Sequence, residues 1–212
     1  MRIVAGKYRH RIIDMTNLDS TRETQDSVRE AIFNMIGPYF DGGICLDLFS
    51  GSGAMALEAY SRGMDKIYIN DINKKALDVA INNTKKLGIL DASFYNLDYL
   101  SFIEKIDIKF DLIILDPPAF TKSKDTLKKA YKGYKEINLQ AIKAIKKGGY
   151  LFTFSCSQHM TPELFLQMIK ESIIDSKRKA QFIEFKVQSP DHPSLFSSEE
   201  QLYLKCVILR IL

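Results

Sequence analysis

The sequence is poor in the features that mark membrane, secreted and metal-clustered proteins. No apolar run approaches the roughly 18 residues that a membrane span requires, and the first residues lack the apolar core of a signal peptide. Only three cysteines are present, Cys45, Cys156 and Cys206, without a paired spacing such as C-x-x-C. We therefore expect a cytoplasmic protein with reduced thiols, no bound metal and no association with a membrane. At most one of the cysteines should carry chemistry.

Low-complexity tracts and internal repeats are also absent, and the overall composition is that of a globular protein. The 212 residues are 46% hydrophobic and 26% charged, close to the averages for soluble domains. A chain of this length suffices for one domain with a single sizeable core. We divide it into a basic N-terminal arm, residues 1–25, and a main domain, residues 26–212.

Positive charge is concentrated in two segments, although the net charge of the chain is only +4. Residues 119–147 contain nine lysines against two acidic residues, a local net charge of +7, and the arm has four basic residues before its first acid. Such clusters are typical of proteins that bind polyanions, although lysine-rich helices are also ordinary solvated surfaces. The candidate contacts to an RNA backbone are Arg2, Lys7, Arg9, Arg11, Lys122, Lys124, Lys128 and Lys132.

Strand and helix patterns alternate through most of the main domain, which is typical of a doubly wound parallel sheet. The predicted strands are 44–49, 66–70, 92–96, 110–115 and 149–155, and the predicted helices are 53–62, 74–87, 99–106, 125–147 and 161–175. Two final strands, about 180–187 and 201–210, have no helix between them and predict an antiparallel hairpin. We expect a seven-stranded, Rossmann-like α/β sheet of the class I methyltransferase type.

The loop after the first predicted strand has the composition of a nucleotide-binding turn. Gly51 and Gly53 permit a tight backbone and a closely approaching ligand, and Asp71 stands where a carboxylate reaches a ribose. The glycines also fit the fingerprint of NAD enzymes, but the negative charge of Asp47 favours a cationic sulfonium over a pyrophosphate. We therefore expect S-adenosyl-L-methionine as the cofactor. Its predicted contacts are Asp47, Phe49, Gly51, Gly53, Asp71, Asp98 and Asp116.

The first half of the chain resembles the RsmD family of guanine-N2 methyltransferases of small-subunit ribosomal RNA. The matching segments are Arg2-Ile3-Val4-Ala5-Gly6-Lys7-Tyr8-Arg9, Thr21-Arg22, Val28-Arg29-Glu30-Ala31-Ile32-Phe33-Asn34, Leu46-Asp47-Leu48-Phe49-Ser50-Gly51-Ser52-Gly53, Glu58-Ala59 and Ser61-Arg62-Gly63. The resemblance implies a base methyltransferase that acts on ribosomal RNA. One departure concerns the target base, because the family has tyrosine after Asp-Pro-Pro and this chain has Ala119, with the aromatic Phe120 one residue later.

The second half is similar to the catalytic end of the RlmI family, cytosine-C5 methyltransferases of large-subunit ribosomal RNA. The matching segments are Asp116-Pro117-Pro118-Ala119-Phe120, Lys132-Gly133-Tyr134-Lys135-Glu136-Ile137-Asn138, Thr153-Phe154-Ser155-Cys156-Ser157, Asp191-His192-Pro193 and Tyr203-Leu204-Lys205-Cys206. That family carries a separate RNA-binding domain, in whose place this chain has only the short basic arm. The sequence thus reads as a hybrid with its join near residues 110–118.

Cys156 and the Asp-Pro-Pro segment carry the candidate chemistry. Carbon 5 of cytosine is not nucleophilic until a thiolate has added at carbon 6, so methylation there requires a cysteine. Cys156 follows the fifth predicted strand and can share a pocket with Asp116, although a small buried strand residue is the alternative. Methylation of an exocyclic amine needs no covalent step, and Asp116 with the carbonyl of Pro117 would suffice. Phe120 is assigned either to stacking on the target base or to covering the core.

The residues favour cytosine C5 as the target over guanine N2. The cysteine in Thr-Phe-Ser-Cys-Ser and the missing tyrosine after Asp-Pro-Pro support C5, whereas the RsmD-like first half supports N2. A third alternative, from another functional class, is a non-catalytic module that binds S-adenosylmethionine and RNA. The expected partner in each case is ribosomal RNA or a precursor of a ribosomal subunit.

Overall fold

The computed structural model describes residues 1–16, 24–120, 126–187 and 204–212. The chain forms two compact units, an N-terminal unit, Met1–Ile114, and a C-terminal unit, Leu115–Leu212. Among the described residues, no helix is both long enough and apolar enough to cross a membrane. The same residues contain no group of three or more His, Cys, Asp or Glu side chains arranged to hold a metal ion.

Parallel strands with buried side chains form the centre of the N-terminal unit. β1 (Ile44–Asp47) pairs in parallel with β2 (Lys66–Asn70) and β4 (Phe110–Leu115), and β2 pairs in parallel with β3 (Ala92–Tyr95). Sheets of this kind have helices on both faces, so their central strands read as continuous apolar runs. The helices of this unit are α1 (Asp26–Met35), α2 (Ala54–Ser61), α3 (Lys74–Lys86) and α4 (Tyr99–Lys105).

The described residues of the C-terminal unit include three strands and two long helices. Strand β7 (Lys205–Ile211) pairs antiparallel with β5 (Ile145–Ser155) on one side and with β6 (Ala180–Val187) on the other. Helix α5 (Leu127–Ala144) precedes β5, and α6 (Pro162–Asp175) follows it. The Thr161 hydroxyl begins α6 by accepting a hydrogen bond from the Leu164 amide.

The strands follow the order β3-β2-β1-β4-β5-β7-β6. Four parallel strands followed by an antiparallel pairing at the chain's end confirm the predicted seven-stranded, Rossmann-like sheet. The class of fold is that of the class I methyltransferases.

Two predicted boundaries in the C-terminal unit are wrong. The helix predicted over 125–147 ends at Ala144, and β5 begins at Ile145 instead of residue 149. Ile145 is buried while Lys146 and Lys147 are exposed, and Gly148 has φ +86°, so this basic stretch cannot continue the helix. The last strand begins at Lys205, and the earlier part of the prediction over 201–210 falls largely outside the described residues.

The N-terminal arm is a tight bend that contacts α2. Backbone hydrogen bonds join the Ile3 amide to the Arg11 carbonyl and the His10 amide to the Ile3 carbonyl, each at 2.9 Å. Gly6 has φ +79°, and a Cβ at this position would lie 1.8 Å from the carbonyl oxygen of Ser61. Only glycine permits this approach between the arm and the end of α2.

A buried carboxylate on α2 holds the arm in place. Glu58 is fully buried and accepts hydrogen bonds from the amides of Val4 at 2.8 Å and Ala5 at 3.0 Å. It also pairs with two fully buried arginines, Arg62 at 2.8 Å and Arg29 at 3.8 Å. Arg29, Glu58 and Arg62 all belong to the RsmD-like segments, which therefore serve to build this support.

Candidate active site

The carboxyl ends of β1, β2 and β3 carry the predicted cofactor residues, and the side chain of Asn70 connects the loops there. The Asn70 amide donates to the carbonyls of Leu48 and Leu97, each at 3.0 Å, and its oxygen accepts from the Leu97 amide at 3.2 Å. In the same region the Asn96 amide donates to the carbonyls of Asp71 and Ile72 at 2.7 and 2.9 Å. These bonds join the loops after the three strands at one edge of the sheet.

The turn between β1 and α2 packs closely against α3 and requires glycine. Gly53 has φ +81°, and a Cβ there would meet the Cβ of Ala80 at 3.0 Å. The Gly51 amide donates to Asp71 at 2.9 Å, so the turn is tied to the end of β2. The hydroxyl oxygen of Ser50 is buried and has no hydrogen-bond partner among the described residues. A buried hydroxyl without a partner is costly unless a ligand or water completes it.

Two carboxylates of the predicted set face this turn. Asp47 is almost fully buried at the end of β1, where it accepts a hydrogen bond from the Ala56 amide at 3.2 Å. Asp71 accepts from the Asn73 amide at 2.8 Å and from Gly51, one bond to each oxygen. A carboxylate can accept several hydrogen bonds, and the contact of Asp71 with the two hydroxyls of a ribose stays a prediction.

Asp98 has a structural role that its sequence position did not indicate. Its carboxylate caps α4 by accepting bonds from the amides of Leu100 and Ser101, each at 3.1 Å, and from the Ser101 hydroxyl at 2.6 Å. These bonds, led by that of the Ser101 hydroxyl, lower the pKa of Asp98. A contact between Asp98 and adenine stays a prediction. Such a contact would use lone pairs of the carboxylate other than those that accept the capping hydrogen bonds.

Two neighbours of this edge were not among the predicted site residues. Ile72, directly after Asp71, is 70% exposed, and an exposed apolar side chain beside the loops can cover the flat face of a base. Asn70 was missed as well. The sequence signal was available for Ile72, an apolar residue directly after the strand-ending acid, whereas nothing local distinguishes Asn70 from an ordinary strand residue. Phe49, which was predicted, is half-buried in the turn.

In the C-terminal unit, the candidate nucleophile lies between two buried serines. Cys156 follows β5 and is half-buried, whereas Ser155 and Ser157 are buried. The Ser155 hydroxyl donates to the Tyr134 hydroxyl at 3.3 Å and accepts from the Ser157 amide at 3.4 Å. The serines therefore fix the turn, and the cysteine between them is accessible.

The other two cysteines, Cys45 and Cys206, are buried. Burial raises the pKa of both Cys45 and Cys206 well above the ordinary value, with Asp47 adding to the effect at Cys45 and Asp116 at Cys206. A buried thiol with a raised pKa is a poor nucleophile. Of the three thiols, the structure thus leaves Cys156 as the candidate for chemistry.

An aromatic pair and an acid surround the same turn. Tyr134 of α5 is fully buried, which raises its pKa to about 12, and the negative charges of Cys156 and Asp116 act in the same direction. Its ring centroid lies 4.7 Å from that of Phe120. Asp116 is half-buried after β4, followed by the buried Pro117. Asp116 and Cys156 both act on the pKa of Tyr134, and their sharing of one pocket stays a prediction.

A buried lysine completes this cluster, and the sequence prediction missed it. Lys205, the first residue of β7, is fully buried, and its ammonium donates to the carbonyl of Ser157 at 2.9 Å. Burial lowers the pKa of Lys205 to about 8, whereas the negative charge of Cys156 acts to raise it. The available signal was a lysine at the head of the otherwise apolar run Lys205-Cys206-Val207-Ile208-Leu209.

The basic residues predicted to bind RNA are exposed wherever they are described. Arg2 forms an ion pair with Asp26 at 3.5 Å and stays largely exposed. Lys128 and Lys132 are one turn apart on α5 and are both exposed. Lys122 and Lys124 lie outside the described residues, as do Thr21, Arg22 and His192. The remaining exposed members are Lys7, Arg9 and Arg11.

Solved structures with the same fold include several methyltransferases. A putative SAM-dependent methyltransferase from Streptococcus mutans aligns with a TM-score of 0.71 at 20% identity, over 87% of this chain and 48% of that one. The putative methyltransferase yhhF from Escherichia coli aligns with a TM-score of 0.69 at 19% identity, over 99% of this chain and 97% of that one. At these identities the likeness concerns the fold.

The chain belongs to the family described as conserved hypothetical protein 95, whose model matches residues 1–179. Two curated relatives are both called ribosomal RNA large subunit methyltransferase I. The protein from Enterobacter sp. (strain 638) is 38% identical over 172 residues, which are 79% of this chain and 43% of the relative. The Escherichia coli O139:H28 protein is 37% identical over 179 residues, 82% of this chain and 45% of the relative. The chain thus spans less than half the length of these relatives.

Proposed function

We propose that this protein is an S-adenosylmethionine-dependent methyltransferase that modifies a base of ribosomal RNA, with carbon 5 of cytosine as the target. The observation that carries the proposal is the half-buried thiol of Cys156, fixed between two buried serines in the same unit as Asp116. The printed name of the curated relatives, ribosomal RNA large subunit methyltransferase I, supports ribosomal RNA as the substrate class. A cytoplasmic location accords with such a substrate.

The loops of the N-terminal unit fit S-adenosylmethionine. The buried carboxylate of Asp47 suits a cationic ligand, Asp71 suits a ribose diol, and the hydroxyl of Ser50 is in need of a polar partner. The exposed side chain of Ile72 is placed to cover an adenine. When bound, the cofactor supplies an electrophilic methyl group on a sulfonium.

The residues of the C-terminal unit would activate the base. The Cys156 thiolate adds its electron pair to carbon 6 of cytosine, and the electrons displaced from the C5–C6 double bond make carbon 5 nucleophilic. Asp116 would accept a hydrogen bond from the amino group of the ring. As the thiolate adds, N3 would take up a proton from solvent, donate it in a hydrogen bond to the other oxygen of Asp116, and release it again when the thiolate leaves. After carbon 5 has gained the methyl group and lost its proton to solvent, the double bond re-forms and the Cys156 thiolate leaves. The thiol is therefore regenerated in each cycle.

Methylation of guanine N2 is the second candidate, and specific observations favour it. The family model matches residues 1–179 without interruption, and the likeness to the putative methyltransferase yhhF extends over nearly the whole of both chains. In this alternative, Asp116 and the Pro117 carbonyl would orient the amino group, Phe120 would stack on the guanine, and Cys156 would only fill space. The ring of Phe120 packs on Tyr134, and its stacking on a base stays a proposal.

A hybrid origin of the chain is compatible with its two resemblances. The division between the two compact units, after Ile114, lies within the proposed join at 110–118. Contacts to the RNA backbone by the arm and by α5 belong to the same proposal. These contacts would direct the protein to its RNA, a task that the longer relatives can perform with the rest of their chains.

The cofactor is tested by calorimetric titration with S-adenosylhomocysteine. We expect binding by the unchanged protein and a clear loss of affinity in Asp47→Ala. The matched control is Asp107→Ala, which removes an exposed carboxylate of the same unit and should leave affinity unchanged. Absence of binding by the unchanged, folded protein would refute the proposal of an enzyme that uses this cofactor.

The target atom is tested by identifying the modified nucleoside. The protein and a labelled methyl donor are incubated with total RNA from a methylation-deficient source, followed by mass spectrometry of the nucleosides. We expect 5-methylcytidine with the unchanged protein and none with Cys156→Ser, because the C5 route requires the thiolate. Recovery of N2-methylguanosine, undiminished in Cys156→Ser, would establish the second candidate instead.

A further inference from the structure

A buried lysine stands at the head of β7. An ammonium out of contact with water costs several kcal/mol unless its charge is used or neutralised, and a methionine could fill the same volume with apolar contacts. Lys205 is fully buried, yet its neighbours Cys206, Val207 and Ile208 form a regular apolar strand. Lys205 therefore brings a cationic group into an otherwise apolar strand.

The geometry places this charge beside the candidate nucleophile. In the antiparallel register Lys205 lies opposite Ser155, the residue before Cys156. Its ammonium hydrogen-bonds the carbonyl of Ser157, the residue after Cys156, at 2.9 Å. The lysine thus spans the three-residue turn that presents the thiol.

We propose that Lys205 is a positioning residue whose ammonium holds the Ser155–Ser157 turn and stabilises the thiolate of Cys156. The role rests on the proposed function only in so far as Cys156 is the nucleophile there. An adjacent ammonium favours the thiolate over the thiol, and the thiolate is the reactive form. A hydrogen bond to the turn fixes the direction in which the thiolate points.

The negative charge of Asp116 acts against a thiolate at this turn, and a nearby cation offsets that effect. Asp116 carries a negative charge, and Tyr134 and Cys206 stay neutral at physiological pH because their pKa values are raised by burial. Lys205, whose pKa is lowered to about 8 by burial, still binds its proton for the most part at neutral pH. Among the described residues of this cluster, Lys205 supplies the positive charge.

The pH dependence of thiol alkylation tests the inference without RNA or cofactor. The protein is reacted with iodoacetamide between pH 5 and 10, and peptide mass spectrometry reports the rate at Cys156 separately from Cys45 and Cys206. We expect a midpoint for the unchanged protein below the value of about 8.5 for a free cysteine. In Lys205→Met the midpoint should rise by about one to three pH units, the effect of removing an opposite charge at close range. Lys205→Arg should restore part of the shift.

The matched control is Lys186→Met, which removes an exposed lysine from β6 opposite Cys206 and should leave the midpoint unchanged. An equal midpoint in the unchanged protein and in a folded Lys205→Met variant would overturn the inference. Should that variant fail to fold, a midpoint of the unchanged protein at or above that of free cysteine would overturn it equally. If the midpoint shifts as expected while no 5-methylcytidine is formed, the thiolate inference stands and the proposed function fails.

Discussion

The network around Glu58 predicts a large loss of stability when its charge is removed. Glu58→Gln keeps the size of the side chain but replaces one oxygen by an amide group that cannot accept hydrogen bonds. The carboxylate accepts two backbone amides of the arm and pairs with two fully buried arginines. The variant therefore leaves at least one buried donor without an acceptor. It removes the negative charge that faces the buried Arg62 at 2.8 Å, whereas Arg29 keeps its ion pair with Asp26 at 2.8 Å.

Removal of one partner from a buried ion pair costs about 3–5 kcal/mol, which is a large part of the usual 5–15 kcal/mol of a domain. At about 2–4 °C per kcal/mol for a chain of this size, we expect the melting temperature to fall by about 6–20 °C. The assay is urea and thermal unfolding followed by circular dichroism. Glu104→Gln, at an exposed glutamate of α4, is the matched control and should have little effect.

The same variant should release the arm. The exposed basic residues Lys7, Arg9 and Arg11 are trypsin sites, and we expect faster cleavage there in Glu58→Gln than in the control at a temperature where both remain folded. The reasoning is refuted if Glu58→Gln differs from Glu104→Gln by less than about 0.5 kcal/mol and the arm is cleaved at the same rate.

Three further predictions concern the turn after β1, the buried lysine and the arm. Gly53→Ala and Gly88→Ala both place a side chain at positive φ, which should cost about 1–2 kcal/mol of stability each. Of the two added methyl groups, only that at position 53 would meet a neighbour, so only Gly53→Ala should also weaken S-adenosylhomocysteine binding in calorimetry. Equal effects of the two variants on binding would contradict the described turn. Burial lowers the pKa of Lys205 to about 8, against 10.5 for an ordinary lysine, so the folded state binds this proton less tightly. In urea unfolding, the stability of the unchanged protein relative to Lys205→Met should therefore rise between pH 8 and 10.5 by up to about 3 kcal/mol. A stability difference that does not change with pH would refute the burial of a charge. The double variant Arg9→Ala, Arg11→Ala should flatten the slope of log affinity against log salt concentration for ribosomal RNA fragments by about 0.7–0.9 per lost phosphate contact. An unchanged slope would show that these two residues of the arm do not contact the RNA backbone.

The sheet and the cofactor turn could be predicted from the sequence because their signals are local. The strands of the N-terminal unit are short, largely apolar runs, and the turn requires glycine at the alternate positions 51 and 53. The end of α5 could not be predicted in the same way. The lysines before Gly148 fit a helical surface as well as an exposed strand face, and the burial of Ile145 decided between them.

The residues that sequence reasoning missed act through contacts between distant parts of the chain. The ammonium of Lys205 reaches a carbonyl 48 positions away, Asn70 reaches Leu97 across 27 positions, and Glu58 binds Val4 across 54. No local pattern signals such partners, because the topology brings them together only after folding. Asp98 shows the converse: its position at a strand end predicted a ligand contact, and its nearest donors are those of the helix that it caps.

The most direct test of the central claim is to trap the covalent bond between Cys156 and the base. The protein is incubated with S-adenosylmethionine and ribosomal RNA in which cytidine is replaced by 5-fluorocytidine. Fluorine cannot leave carbon 5 as the proton does, so the Cys156 thiolate cannot be released after methyl transfer. We predict a protein–RNA complex that survives denaturation, maps to Cys156 by peptide mass spectrometry, and is absent with Cys156→Ser. Methyl transfer to the RNA without such a complex, at a rate unaffected by Cys156→Ser, would contradict the account.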